Sequence, residues 1–138
     1  MESKKHYLFN IEPFCNNCGS LIALEEKKEI PFKIKRVFFE YDLKSNAARG
    51  NHANKNSRFC IVAIFGSCDI TISEGNKETV YHLDSPSEVL YLDKMIWKTM
   101  NNFSNNCILL ILSDCVYEKN EYIRDYDEYL REYYGKSN

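Results

Sequence analysis

The chain has 138 residues and a formal net charge of −2, with 44% hydrophobic and 28% charged residues. This length and balance predict one globular domain over residues 1–138. The slightly negative net charge argues against a nucleic-acid-binding protein, which carries an excess of basic residues. The chain also has no polybasic run that would bind an anionic membrane. No apolar run approaches the ~20 residues of a membrane span. The charged N-terminus does not read as a secretory signal, so we expect a cytoplasmic protein that binds neither nucleic acid nor membrane.

Short runs rich in aromatic and β-branched residues follow one another along most of the chain, separated by turn residues. They recur roughly every 8–12 residues, a spacing typical of a β-sandwich or barrel. Residues 74–77 read as a hairpin loop between two of these runs. The predicted strands are residues 32–42, 59–65, 68–73, 79–83, 89–92, 96–100 and 107–112.

The C-terminal part has a different period. Apolar residues recur there at helical spacing, at Tyr122, Ile123, Tyr126, Tyr129, Leu130 and Tyr133. Charged residues fill the opposite face, and Asn120 is the predicted N-cap. About eight or nine strands precede this helix. The pattern therefore predicts an all-β fold, a small barrel or jelly roll with a C-terminal amphipathic helix.

The chain contains six cysteines, which we expect to be reduced because no secretory signal places them in an oxidising compartment. Three of them lie in strand-like runs, where cysteine behaves as a small buried hydrophobe, at Cys60, Cys68 and Cys107. Cys15 and Cys18 have the spacing of half a zinc site or of a redox pair. No second pair follows at zinc-ribbon spacing, so we predict neither zinc nor redox use.

Of the three histidines, His52 is the candidate for chemistry. His6 lies in an N-terminus that we expect to be mobile or at a sheet edge, and His82 has the pattern of a surface or cross-strand residue. His52 lies in a polar, glycine-bearing stretch, residues 48–58, just before a buried strand. Such a position places a side chain at the mouth of a barrel, where ligand sites form. The alternative is an ordinary solvated loop.

Residues 50–54, followed by a strand and Gly66, resemble the first motif of the cupin superfamily, which reads G, H-x-H, E, G. Residues 93–102 stand where the second cupin motif would be. The four usual metal-ligand positions fall on His52, Asn54, Arg58 or Phe59, and Lys98. Only His52 among them readily ligates a transition metal, so we expect a metal-free site without a cofactor.

A more specific resemblance covers nearly all of the chain, in segments 19–26, 30–37, 49–55, 90–92, 96–97, 102–104 and 122–127. These segments are similar, in the same order, to the sugar 3,4-ketoisomerases that act on dTDP-4-keto-6-deoxyglucose, the FdtA/QdtA/WxcM-like family. The resemblance implies a cupin (RmlC-like) jelly-roll barrel that is metal-free and homodimeric. It also implies a dTDP-sugar substrate and a place in making 3-amino-3,6-dideoxyhexoses for lipopolysaccharide or capsule.

The chain departs from the family pattern at three positions. The usual H-A-H is His52-Ala53-Asn54, the residue after Trp97, often His or Arg, is Lys98, and the residue before Gly19, often Arg, is Cys18. The departures at Asn54 and Lys98 lie where substrate would sit. They read as a subfamily pattern, since polar or basic side chains remain.

Moving a ketone from C4 to C3 requires removal of a proton from C3 and delivery of one to C4 through an enediol(ate). The reaction needs a base near neutral pKa and donors for the developing oxyanion. By resemblance, His52 occupies the proton-acceptor position of the family. If the two proton transfers occur on opposite faces of the sugar, a second group must deliver the proton to C4. Tyr41 or a water held by Asn54 is the expected group. Lys98 is expected to polarise the carbonyl or stabilise the enediolate; the alternative is a solvated rim lysine.

Substrate binding is assigned to basic and aromatic side chains. The local basic group suits a diphosphate, with an ordinary charged loop as the alternative, and consists of Arg49, Lys55 and Arg58. Trp97 and Tyr91 are placed to stack on sugar or thymine, or to form the core or cavity wall. Arg124 is interpreted as structural, pairing with a carboxylate to lock the terminal helix.

Two other functions stay open on the sequence. One is a non-catalytic cupin that binds a nucleotide sugar, motivated by the loss of the second motif histidine. The other is an epimerase related to the dTDP-sugar 3,5-epimerases. Exchange with solvent deuterium separates them, because an isomerase labels the reacting carbons, an epimerase labels C5, and a binding protein labels none.

Overall fold

The computed structural model describes residues 4–135, and the apolar runs of the sequence form most of its strands. In chain order the strands are β1 (His6–Asn10), β2 (Phe14–Asn16), β3 (Gly19–Leu21), β4 (Arg36–Glu40), β5 (Arg49–Asn54), β6 (Phe59–Phe65), β7 (Cys68–Glu74), β8 (Lys77–Leu83), β9 (Glu88–Leu92), β10 (Trp97–Asn101), β11 (Ile108–Ser113) and β12 (Tyr122–Ile123). A 3₁₀ turn (Lys119–Glu121) precedes β12, and one α-helix, α1 (Tyr126–Gly135), follows it.

Two five-stranded sheets form the barrel, and the strand pairs within them are antiparallel. The first has the strand order β1-β9-β6-β11-β4, and the second has the order β12-β5-β10-β7-β8. Strands β2 and β3 form a separate two-stranded hairpin. The predicted all-β jelly-roll barrel with a C-terminal helix is thereby confirmed.

Strand β6 is apolar at every position, and its first five residues are buried because both faces of the strand are covered there. Ile61 and Ala63 face the main core between the two sheets. Cys60 and Val62 face outward and pack against Ile30 and other apolar residues of the N-terminal third. Alternate residues of this one apolar strand thus pack in two hydrophobic cores, one on each face of the first sheet.

Helix α1 packs on the outer face of the second sheet around the fully buried Tyr129. Its first turn is capped by Asp125, whose Oδ1 accepts a 3.0 Å hydrogen bond from the Asp127 N–H. The predicted N-cap at Asn120 is therefore wrong. Ile123 joins the same apolar cluster as Tyr129 from strand β12, so residues of two different elements produced the helical spacing in the sequence.

Tyr129→Phe is expected to lower the free energy of unfolding by about 2 kcal/mol, since it removes a buried hydroxyl with several partners. That hydroxyl lies 2.9 Å from the carbonyl oxygens of Ser73 and Met95 and accepts a 2.9 Å bond from the Gly75 N–H. Tyr126→Phe, at an exposed position of the same helix, is the control and should change the free energy of unfolding by less than about 0.5 kcal/mol. Urea unfolding followed by circular dichroism measures both; equal effects would contradict the assignment.

Two stretches differ from their predicted structure. The strand predicted for residues 32–42 is confined to β4, because Phe32 turns onto the outer face of the first sheet and is buried there. The polar stretch before β6 contains strand β5, which polar composition concealed. No helix of the described residues is long and apolar enough to cross the hydrocarbon layer of a membrane.

The cysteines are free thiols in the described range, with Cys60, Cys68 and Cys107 buried as predicted. Burial raises the pKa of Cys60 to about 12. Cys15 and Cys18 are exposed on the β2–β3 hairpin. Within residues 4–135 no group of three His, Cys, Asp or Glu side chains is placed to hold a metal ion.

Candidate active site

Two of the three histidines have structural partners. His82 Nδ1 lies 2.7 Å from Asp69 Oδ1 across the β7–β8 pair, so its predicted cross-strand role is confirmed. His6 lies on the edge strand β1, with Nδ1 2.7 Å from the Tyr81 hydroxyl. His6 also lines an open cavity of about 960 Å³ beside β1, β7 and β8, but its Nδ1 is paired with the Tyr81 hydroxyl there. His52 lines a separate cavity between the sheets.

An irregular stretch of β5 places His52 opposite Lys98. The pairing of β5 with β10 shifts register between Lys98 and Thr99, and Gly50 and Asn51 there have φ angles of 86° and 55°. A Cβ at Gly50 would lie 2.9 Å from the Lys98 carbonyl oxygen, so only glycine fits this crossing. The result is that His52 and Lys98 are direct cross-strand partners.

The cavity between the two sheets has a volume of about 300 Å³. Its polar lining side chains are Arg36, Glu40, Arg49, His52, Lys98 and Tyr122, and its apolar wall includes Phe38, Phe59 and Met100. Strands β4, β6 and β11 of the first sheet face β5, β10 and β12 of the second across it. A few convergent polar groups on an apolar wall are typical of a small-molecule site.

His52 is held as a neutral base. Its Nδ1 lies 2.9 Å from the Gly50 carbonyl oxygen, and a carbonyl only accepts, so Nδ1 carries the proton and Nε2 keeps its lone pair. The ring packs against Tyr122, with centroids 4.8 Å apart. Burial, aided by the charge of Lys98, lowers the pKa of His52 to about 4. The ring is therefore unprotonated at neutral pH, with Nε2 open to a proton, but it is a weaker base than the near-neutral one predicted from the sequence.

Lys98 is a buried amine, only 5% exposed. Its Nζ lies 3.1 Å from Asn54 Oδ1 and 4.3 Å from the centroid of the Phe59 ring. Burial lowers the pKa of Lys98 to about 7, while the carboxylates of Glu121 and Glu40 act in the opposite direction. This balance keeps a positive charge available beside His52 near neutral pH.

Glu121 is a buried carboxylate that the sequence analysis missed. It accepts hydrogen bonds from the backbone N–H groups of Asn56 and Ser57, at 2.9 and 3.0 Å, and from the Ser57 hydroxyl. These bonds fix the chain just after β5 and bring a negative charge near Lys98. Glu121 lies in the segment read as the start of a helix, so no local pattern marked it.

Arg36 and Tyr122 are further cavity residues without a prediction. The alternation of β4 offers a signal for the first, since Arg36, Phe38 and Glu40 share one strand face. The same parity corrects the assignment of Tyr41 as a second catalytic group. Tyr41 is 61% exposed, outside the cavity, and its ring lies against that of Phe39.

Two of the three basic residues assigned to the diphosphate lie outside the cavity. Arg58 is paired with Asp114 at 2.7 Å, and Lys55 is paired with Glu132 on helix α1 at 3.7 Å. Arg49 does line the cavity, with its Nε 3.0 Å from Glu40 Oε1. All three thus have a carboxylate partner in this structure.

Neither aromatic residue assigned to substrate stacking lies in the cavity. Tyr91 stacks on Tyr7 at the outer face of the first sheet, with centroids 4.9 Å apart. Trp97 packs beneath helix α1, with its ring centroid 5.3 Å from that of Tyr126. Both side chains pack in hydrophobic cores, which was the alternative prediction for them.

Arg124 does not pair with a carboxylate as expected. Within residues 4–135 it makes no ion pair, and its guanidinium lies 4.8 Å from the centroid of Tyr122. Arg36 is similar: its guanidinium lies 4.2 Å from the Phe38 ring, and Nη1 is 3.5 Å from the Tyr122 hydroxyl. Two cations without an acidic partner therefore flank Tyr122, whose ring covers His52.

The comparisons with known proteins agree with this geometry. The model of the family described as "FdtA: WxcM-like, C-terminal" matches residues 4–134. A TDP-4-oxo-6-deoxy-alpha-D-glucose-3,4-oxoisomerase from Aneurinibacillus thermoaerophilus is 38% identical over 138 residues, covering 100% of this chain and 96% of the relative.

Two solved structures have the same fold. A 3,4-ketoisomerase from Helicobacter canadensis superposes with a TM-score of 0.93 and 41% identity, over 96% of this chain and 99% of that one. A mutant of the 3,4-ketoisomerase QdtA from Thermoanaerobacterium thermosaccharolyticum, in complex with TDP-4-keto-6-deoxyglucose, gives 0.92 and 29% over 98% of both chains. Since the family model and the relatives cover nearly the whole chain, the protein belongs to the WxcM-like, C-terminal (FdtA) family, the sugar 3,4-ketoisomerases that its sequence resembles.

Proposed function

We propose that this protein is a sugar 3,4-ketoisomerase that converts dTDP-4-keto-6-deoxyglucose to a dTDP-3-keto-6-deoxyhexose. The observation that carries the proposal is the pairing of a neutral His52, with Nε2 free to accept a proton, and the buried amine of Lys98 in one cavity. A base and a positive charge are what enolisation next to a ketone requires. Relatives named as 3,4-ketoisomerases support the reaction and the substrate.

In the proposed mechanism His52 Nε2 removes the proton from C3, and the electron pair forms the C3–C4 double bond of an enediolate. The C4 oxygen becomes negative and is stabilised by Lys98. Return of a proton to C4, with transfer of the O3 hydroxyl proton to O4, places the ketone at C3. Because Tyr41 lies outside the cavity, His52 is proposed to serve both carbons from one sugar face.

The nucleotide diphosphate is proposed to lie against Arg36 and Arg124, beside Arg49 at the rim of the cavity. Arg36 and Arg124 carry charges that no carboxylate of the described residues neutralises, and phosphate oxygens suit guanidinium groups. Arg36→Met is expected to weaken dTDP binding about tenfold, the loss of one charge-assisted contact. Lys55→Met, which removes a cation outside the cavity, is the control. Isothermal titration with dTDP measures both; equal weakening would contradict this placement.

A homodimer is proposed from the exposed apolar surface. Val37 and Phe39 on β4, and Tyr41 just after it, are all exposed. The β2–β3 hairpin carries a facing pair of exposed residues, Phe14 and Leu21, and an isolated two-stranded hairpin is marginal in water. A second copy of the chain that covers the β4 surface and the hairpin would bury these apolar side chains. Sedimentation equilibrium is expected to give twice the chain mass, and a monomer at micromolar concentration would overturn the proposal.

The proposed product has its ketone at C3, where a transaminase would install nitrogen. This chemistry supports a place in the synthesis of 3-amino-3,6-dideoxyhexoses for surface polysaccharide, and such nucleotide-sugar reactions are proposed to run in the cytoplasm. The side chains of His52 and Lys98 supply the base and the charge, and no cofactor is invoked.

Nuclear magnetic resonance of dTDP-4-keto-6-deoxyglucose in D₂O with catalytic protein tests the function. New 3-keto signals are expected, with deuterium at C4 wherever the proton on His52 exchanges with solvent before it returns. The carbon signals of the product, or the C4 proton of the fraction that keeps it, will give the gluco or galacto configuration. Deuterium confined to C5 would instead identify an epimerase. An unchanged spectrum with substrate line broadening would identify a nucleotide-sugar-binding protein.

A further inference from the structure

Asn54 has a buried amide group that is only half used. It ends strand β5 two residues after His52, so the two side chains share one face of the strand. The residue is 2% exposed, and its Oδ1 accepts the 3.1 Å bond from Lys98 Nζ. An ammonium group only donates, so the oxygen must face Lys98 and the amide nitrogen must point elsewhere.

The amide nitrogen of Asn54 makes no hydrogen bond of normal geometry to the described residues, although its side chain lies near enough to His52 to act against the lowering of that ring's pKa. Only one other buried side-chain atom of the described residues lacks a partner, an oxygen of Glu88 in β9, a strand that does not border the cavity. Asn54, in contrast, bonds Lys98, which lines the cavity. An unpaired buried donor is unfavourable, so a site that retains one is adapted to an acceptor that arrives with a ligand. The acceptor must come close to Lys98, since the same amide bonds to it.

We propose that Asn54 is a catalytic hydrogen-bond donor, and that its free N–H group and the Lys98 ammonium together bind the sugar oxygen that becomes negative in the enediolate. Asn54 has a second role as a positioning residue, because its Oδ1 holds Lys98 at the base of the cavity. His52 removes the carbon-bound proton, and the two donors receive the charge that this step creates. This inference rests on the proposed function and adds to it the donor pair.

Asn54→Asp separates the two roles. Aspartate keeps an oxygen for Lys98 but replaces the N–H donor with a second acceptor of like charge to the enediolate. At pH 6, where Lys98 stays protonated, kcat is expected to fall about 10²-fold or more, as for removal of an oxyanion donor. KM and the dTDP dissociation constant should change less than about threefold, because the charge develops only during reaction. Deuterium exchange at the reacting carbons should fall in parallel with kcat.

Asn76→Asp is the matched control. Asn76 lies in the turn between β7 and β8, is exposed, and its Oδ1 accepts a 2.8 Å bond from the Tyr134 hydroxyl on α1. The substitution therefore makes the same chemical change and keeps the same kind of bond, away from the cavity. Its kcat is expected to stay within twofold of the unmodified protein.

Asn54→Ala removes the donor without adding a charge and covers the case in which the aspartate variant does not fold. Full activity in a folded alanine or aspartate variant would overturn the donor role, as would a loss confined to KM. Failure of the proposed function itself looks different, because the unmodified protein would then show no deuterium exchange and no 3-keto product.

Discussion

His52→Asn is expected to lower kcat by about 10³-fold, the range for loss of a positioned general base. Asparagine retains a polar group of similar reach but has no lone pair on nitrogen that can take a proton. The dTDP dissociation constant should change less than about threefold, since the proposed placement puts the sugar at His52 and the diphosphate at the cations around Tyr122. Single-turnover conversion followed by nuclear magnetic resonance gives the rate, and calorimetry gives the affinity.

His82→Asn is the matched control for this substitution. His82 is exposed and bonds Asp69 on the outer strands β7 and β8, away from the cavity. Its loss should leave kcat within twofold. If His52→Asn keeps near-full activity, another group removes the C3 proton, and no other histidine of the described residues lines the cavity.

The barrel could be predicted because its strands are encoded locally. The run from Phe59 to Phe65 is apolar on both faces and forms β6 with the predicted bounds. Strand β5 escaped prediction because its residues are polar, with two left-handed positions at Gly50 and Asn51. The same irregular backbone also brings His52 opposite Lys98. The feature that made β5 hard to predict is therefore the one that creates the geometry of the candidate site.

The candidate site was predicted best where the two family motifs supply it. His52, Asn54 and Lys98 are brought together as the family motifs imply. Residues assigned by chemistry alone, such as Tyr41 and Arg58, lie elsewhere. Strand parity points the first outward, and a carboxylate distant in sequence neutralises the second.

Long-range pairing also explains the residues that were missed. Glu121 reaches the loop after β5 across more than sixty positions, with bonds to Asn56 and Ser57. Arg36 is a functional candidate because it lacks an acidic partner in the described residues, and that condition depends on the whole fold. A single sequence shows that a basic residue exists, but only the tertiary structure shows whether its charge is free.

The pH dependence of kcat/KM should be bell-shaped, because the two central groups must be in opposite states. His52 acts as a neutral base, and its pKa near 4 means that activity is lost only as the pH falls toward 4. Lys98 acts as a cation, and its pKa near 7 means that activity is lost as the pH rises through 7. The free protein is therefore expected to be most active between these values. Initial rates at substrate concentrations far below KM measure the profile.

Substitutions of Lys98 assign the alkaline limb. Lys98→Met is expected to lower kcat about 10²- to 10³-fold, because a buried apolar side chain offers the enediolate no charge. Lys98→Arg keeps a cation that does not deprotonate in this range, so activity near pH 6 should persist within about tenfold and the alkaline limb should move beyond pH 9. The other titratable groups around residue 98 stay unchanged in both variants: Glu121, and in the cavity Glu40, Arg36, Arg49, His52 and Tyr122. An alkaline limb that stays near 7 in Lys98→Arg would mean that a different group titrates there, and Lys98 would then be a structural lysine whose charge the reaction does not use.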